Sequence, residues 1–439
     1  MVETVYGKIS GIACDGYTKY LGIPYAKPPL GSRRFKRPEP PEPWDGVLEA
    51  TKFGFTAMQQ DAIPGTFYYK EFYENPDYIY HCSEDCLTLN IYVPDKKCEE
   101  EFPVAFWIHG GAFQNGYSGK IEFDGQEYAK RGVILVTINY RCNVFGFLAH
   151  PWLTEADPDN LSGNYGMYDQ LAALKWVYEN IGNFNGDREN ITVFGQSAGA
   201  MSVQMLVSSP LTGSMIKKAV LQSGGSYGEG LDKQRSLLEG EILGLEFTNM
   251  LGVHNIDELY ALSAKDLLDG FIAFRDEKMK NGFGLTFAPI IDGCFSIESN
   301  NSAIENGRIK SIPYMIGSTA NDLAAEASLN PDREKSLLYV GSIEFAKKIN
   351  QIYRQPVYVY YFSRQLPGDE KGAFHSSDLW YTFGTLGRCW RPMTKRDYTL
   401  SNTMLEYWTN FIKTGDPNSG DMEEWYMFSE RGEFVMELN

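Results

Sequence analysis

The chain has 439 residues, 43% hydrophobic and 22% charged, the balance of an ordinary soluble globular protein. Its formal net charge of −17 argues against nucleic acid or an anionic membrane surface as a partner, because both would repel it. No apolar run approaches the roughly 18 residues that a membrane-spanning helix needs.

The opening Met1-Val2-Glu3-Thr4 has neither the basic nor the apolar region of a secretory signal. The seven cysteines (14, 82, 86, 98, 142, 294 and 389) are odd in number and scattered, which suits free thiols better than a disulfide framework. A soluble, cytoplasmic protein is therefore expected. The sequence does not specify an oligomeric state.

Near the N-terminus, short alternating pieces punctuated by Gly7, Gly11, Gly16 and Gly22 predict antiparallel hairpins. Residues 64 to 86 are crowded with Tyr and Phe and predict a loop folded over a pocket. Apolar runs at 104–108, 133–138, 191–194, 219–221, 314–316 and 357–362 read as buried strands. Between them Leu171, Leu174, Trp176, Val177 and Ile181 lie near helical spacing, so 168–181 is a predicted helix. Residues 230–285 read as a helical cap, with Leu237, Leu238, Ile242 and Leu245 on one stripe. A last helix is predicted over 404–412, stopped by Gly415 and Pro417. Strands alternating with helices imply an α/β fold around a mostly parallel sheet, and no linker divides residues 1–439 into separate domains.

Gly-x-Ser-x-Gly occurs twice, at Ser197 and at Ser226. A nucleophile elbow needs a strand before the serine, a helix after it and small neighbours that permit a strained turn. Ser197 follows the run Ile191 to Phe194 and precedes Ala198, Ala200, Met201, Val203 and Met205, a plausible helix. Ser226 is followed by bulky Tyr227 and then Gly-Glu-Gly, which reads as a loop. Ser197 is the candidate nucleophile.

A serine hydroxyl needs a base, and histidine has the pKa for that task. The five histidines are 81, 109, 150, 254 and 375. The chain order Ser, then Asp or Glu, then His leaves His254 and His375, and His375 follows the strand at 357–362. Asp322, Asp292 and Glu326 stand between 197 and 375 as candidate carboxylates; Asp322 follows the strand at 314–316 most closely. His109-Gly110-Gly111 directly follows the strand at 104–108, so Gly110, Gly111 and Ala198 are the candidate oxyanion donors. His81-Cys82 with Cys86 lacks a further ligand pair, so no metal site is expected.

These stretches resemble the type-B carboxylesterases, a family that also contains cholinesterases and neuroligins. Tyr20 to Ala26, Ser83 to Asn90, Asn139-Tyr140-Arg141 and Gly163 to Gly166 are similar to that family, as are Tyr407 to Phe411 with Thr414 to Pro417. The resemblance implies an α/β-hydrolase fold, a small-molecule ester substrate and no cofactor. It assigns the acid to Asp322, where most relatives carry Glu, and the base to His375, with Asp378 in place of a nearby Glu. Gln196 stands where Glu commonly precedes the nucleophile, and Met58 where the partner of Cys86 would be, so that bridge is expected to be absent. Short-to-medium acyl or aryl esters are the expected substrates; the rival reading is a neuroligin-like binding protein that has lost catalysis.

Overall fold

A computed structural model describes residues 1–95, 100–228, 234–323, 335–429 and 431–439. Its centre is a mixed sheet, ten-stranded among the described residues. In chain order the strands are β1 (Ile12–Ala13), β2 (Tyr17–Pro24), β3 (Thr88–Pro94), β4 (Phe102–Ile108), β5 (Ile134–Ile138), β6 (Gly186–Gln196), β7 (Lys218–Gln222), β8 (Tyr314–Thr319), β9 (Val357–Phe362) and β10 (Met436–Leu438). They lie side by side as β10-β9-β8-β7-β6-β4-β5-β3-β2-β1. From β4 to β10 every neighbouring pair is parallel, whereas β3 runs antiparallel to both β5 and β2. The N-terminal hairpins also form: Val2–Thr4 pairs antiparallel with Gly7–Ser10, and β1 with β2.

The six predicted strands lack polar alternation because both of their faces are covered. Successive side chains point to opposite faces, so each strand feeds two cores. Phe106, Ile108, Val193, Leu221, Ile316 and Val359 join one apolar cluster. Ala105, Trp107, Phe194, Val220, Met315 and Tyr358 join the other.

Three predicted elements change in extent. The helix expected at 168–181 spans Tyr165–Asn180. The last helix starts at Lys395 rather than 404, because Thr394 and Asp397 form a capping box that supports its first turns. The aromatic stretch 64–86 is not all loop: Phe67–Phe72 is helical, with Thr66 accepting a capping hydrogen bond from the Tyr69 amide.

Within 230–285, helices span Leu237–Leu251, Ile256–Ala261 and Ala264–Lys280; residues 230–233 lie outside the described residues. The predicted stripe does not face inward, for Leu238, Ile242 and Leu245 are exposed. Gly240 and Gly244 face the body instead, and a Cβ at Gly244 would stand 2.0 Å from the Ala149 carbonyl oxygen. Leu243 and Phe247 are buried beside these glycines, so a different face combines apolar burial with close approach.

In the loop after β5 Arg141, 3% exposed, meets the fully buried Asp169 through its backbone N–H, Nε and Nη2, at 3.0, 2.8 and 2.7 Å. Removing one member of such a pair leaves an unpaired buried charge. Asp169→Ala is expected to lower the unfolding free energy by about 3–5 kcal/mol, measured by urea denaturation; a loss under about 1 kcal/mol, the worth of an exposed pair, would contradict this.

Candidate active site

Ser197 sits between β6, which ends at Gln196, and the helix Ala198–Ser208. Its backbone adopts φ 57° and ψ −126°, a strained turn that the Ser197 N–H stabilises by donating to the Gln222 carbonyl oxygen at 2.8 Å. The turn is tight enough that a Cβ at Gly199 would come within 2.0 Å of the Ile108 carbonyl oxygen, so this position demands glycine. Ser226, by contrast, lies in an irregular segment and is held to Gln204 through its backbone N–H and carbonyl, at 2.9 and 2.7 Å.

His375 lies in the loop after β9, and its Nδ1 is hydrogen-bonded to Asp322 Oδ1. The carboxylate also accepts the N–H groups of Thr319 at 3.0 Å and Leu323 at 2.8 Å. Burial alone would raise the Asp322 pKa, but His375, the Ser223 hydroxyl and the Thr319 N–H outweigh it and hold the carboxyl below its ordinary range. The two loops are tied together one residue away. The Asn321 N–H donates to the Ala373 carbonyl oxygen at 2.9 Å, and Asn321 Oδ1 accepts the Ala373 N–H at 3.0 Å. This double tie keeps the loops close enough for the shorter Asp side chain to reach the imidazole.

Among the described residues, the other candidates are not at this site. Asp292 folds back on its own turn, accepting the N–H groups of Cys294 and Ser296. His254 is exposed beside Glu258, and His150 caps the helix Pro151–Ala156. Glu326 lies outside the described residues.

His109 is buried and stacks on Tyr140 at 4.4 Å, with Nδ1 2.8 Å from the Gly110 carbonyl oxygen. Burial pushes its pKa down to about 3, so it is neutral at pH 7. Gly110 packs on the Ser197 turn, where an added Cβ would stand 3.0 Å from Ser197 Cβ. Gly111 has φ 114°, a conformation only glycine adopts readily, and its carbonyl oxygen accepts the Gln114 and Asn115 amides at 2.9 and 3.1 Å.

Ser197, His375, Gly110 and Gly111 open on one cavity of about 1170 Å³. Tyr68, Phe72, Tyr73 and Tyr80, from the aromatic stretch 64–86, wall it. That stretch is tied to the His375 loop, since Phe67 meets Phe374 edge-on at 4.8 Å and the Tyr68 hydroxyl donates to the His375 carbonyl oxygen at 3.3 Å. Trp380 and Trp390 do not line the cavity; their ring N–H groups donate to buried Glu71, at 2.9 and 2.8 Å. Cys86 is a free buried thiol, and so are the other described cysteines free; Cys98 lies outside the described residues.

Three features here escape a sequence reading. Gln196 Nε2 stands 3.1 Å from His375 Nε2, and Lys120 pairs with Glu122 in the cavity wall. Nothing in the local pattern marks either contact. The third is the state of Asp378, fully buried behind the imidazole, where it accepts from the Gln222 amide and the Tyr360 hydroxyl, both at 3.1 Å. Burial, reinforced by Asp322, pushes its pKa up to about 6.

A raised carboxyl pKa stabilises the fold fully below the unfolded value, and that contribution is lost as pH rises through about 6. Asp378→Asn keeps the shape without the charge. The native protein is expected to lose on the order of 3 kcal/mol relative to this variant between pH 4 and 7. Urea denaturation of both at pH 4.5 and 7.5 tests it; a difference independent of pH would contradict the assignment.

A carboxylesterase family model matches residues 1–337 and 333–439. The chain is 36% identical over 464 residues to the para-nitrobenzyl esterase of Bacillus subtilis, covering 95% of this chain and 91% of that one. It is 30% identical to the fumonisin B1 esterase of Sphingopyxis macrogoltabida, covering 99% and 85%. Among solved structures, a PNB esterase superposes with TM-score 0.86 at 32% identity over 100% of this chain and 95% of its own. A Geobacillus stearothermophilus carboxylesterase gives 0.82 at 31%, over 100% and 96%. The chain therefore belongs to the carboxylesterase family: it is a carboxylic ester hydrolase with the α/β-hydrolase fold.

Proposed function

We propose that Ser197, His375 and Asp322 hydrolyse carboxylic esters through an acyl-enzyme intermediate, with the N–H groups of Gly110, Gly111 and Ala198 as the oxyanion hole. The observation that carries this reading is the Asp322–His375 hydrogen bond in the same cavity as the strained Ser197 turn. With its Nδ1–H donating a hydrogen bond to Asp322, neutral His375 presents a lone pair on Nε2. Gln196 donates to that lone pair in the resting geometry and yields it when substrate enters.

Ser197 Oγ then attacks the ester carbonyl and His375 Nε2 takes its proton. The carbonyl oxygen, now negative, is met by backbone amides and by the positive end of the helix Ala198–Ser208. The imidazolium, stabilised by ionised Asp322, passes its proton to the departing alcohol, and water repeats the cycle on the acyl-enzyme. Gln196 accommodates both states of the ring, since its amide can donate to neutral Nε2 or accept from Nε2–H after a flip.

The aromatic walls and the name of the para-nitrobenzyl esterase relative support short-to-medium acyl or aryl esters. Free cysteines suit a reducing cytoplasm, and no helix among the described residues is long and apolar enough to cross a membrane. A neuroligin-like binding role has no observation in its favour.

The test is hydrolysis of p-nitrophenyl butyrate together with labelling by a fluorophosphonate. Turnover and a single adduct on the Ser197 peptide are expected; neither turnover nor labelling would sink the reading.

A further inference from the structure

Among the aromatic rings of the cavity wall stands a buried ion pair. Lys120 Nζ stands 2.6 Å from Glu122 Oε1, with the two side chains 13% and 0% exposed. The ammonium lies over the rings of Phe72, Tyr73 and Phe123, at 4.8, 4.9 and 5.7 Å from their centroids. Burial works against its charge, but Glu122 and the Tyr73 hydroxyl outweigh it and hold the lysine protonated. Glu122 Oε2 is buried and has no partner elsewhere in the protein among the described residues.

Stability does not account for this pair. A buried ion pair is often no better than hydrophobic residues of the same volume, and a buried acceptor without a donor costs the fold its desolvation. A ligand that donates to Oε2 removes that cost. A cationic group brought here meets Lys120, and an anionic one meets Glu122, so charge of either sign finds a like charge. A neutral group that both donates and accepts satisfies both residues.

We infer that Lys120 and Glu122 form a subsite for a hydroxyl group of the ester substrate, whose O–H donates to Glu122 Oε2 and whose oxygen accepts from Lys120 Nζ. The substrates of this class are esters of polyols or esters of hydroxy acids. The inference rests on the esterase reading of Ser197 and adds the polar group that the cavity selects.

Two pairs of esters test it in the native protein by pH-stat titration, each rate divided by the hydroxide-catalysed rate of the same ester. The alcohol arm compares glycerol 1-butyrate with propyl butyrate. The acyl arm compares ethyl 2,3-dihydroxypropanoate with ethyl propanoate. A preference in kcat/KM of about tenfold for the hydroxylated member is expected in one arm, and that arm identifies the side of the ester that the subsite reads.

In Lys120→Met/Glu122→Leu the preference should fall to about twofold or less, while the apolar ester is still hydrolysed. A native protein without preference in either arm, or a double variant that keeps it, overturns the inference. The native comparison decides alone where the double variant does not fold. Failure to hydrolyse any of the four esters, with no fluorophosphonate adduct, overturns the esterase reading itself and this inference with it.

Discussion

Replacing Ser197 by Ala is expected to lower kcat/KM for p-nitrophenyl butyrate by about 10⁵-fold and to abolish fluorophosphonate labelling. The substitution removes the proposed nucleophile and leaves the turn intact. The Ser197 backbone N–H still donates to Gln222, and Gly195 and Gly199 still permit the close crossing. Residual turnover over water should survive, because the backbone donors and the cavity remain. An Ala variant within tenfold of the native rate, with an unchanged melting curve, would rule Ser197 out as nucleophile.

Asp322→Asn is the second large effect, an expected loss of about 10⁴-fold in kcat. The carboxylate only accepts, which fixes the proton of His375 on Nδ1 and leaves Nε2 unprotonated, as the proposed base requires. An Asn amide in the same place can donate to Nδ1, which moves the ring proton to Nε2 and turns the base away from its task. It also removes the negative charge that stabilises the imidazolium. The Thr319 amide still finds an acceptor in the Asn carbonyl and only the Leu323 amide, which shares Oδ1 with His375, loses one, so folding should suffer little. Steady-state kinetics at saturating substrate measures the effect. A loss under tenfold would transfer the orienting role to Asp378, the other carboxylate buried beside His375.

Much of the framework is readable from local pattern. Strands β4 to β9 read as unbroken apolar runs because helices cover both faces of the sheet. The Gly195-to-Gly199 turn is readable because its geometry forbids side chains at close crossings. The start of the last helix is missed because its first turns carry polar residues, and the Thr394–Asp397 box rather than an apolar stripe supports them. The exposed stripe of Leu238, Ile242 and Leu245 misleads for the opposite reason: that helix turns Gly240, Leu243, Gly244 and Phe247 inward instead.

From sequence alone come the order Ser197, Asp322, His375, the His109-Gly110-Gly111 turn after β4, and the family they resemble, because each is written in a few consecutive residues. Tertiary structure alone brings Asp322 against His375, across 53 positions, and Gln196 against its other nitrogen, across 179. It also decides that Lys120 and Glu122 share a wall with Ser197. Those meetings depend on how loops from β4, β6, β8 and β9 converge at one end of the sheet, and the energy of a side-chain contact follows distance in space, not spacing along the chain.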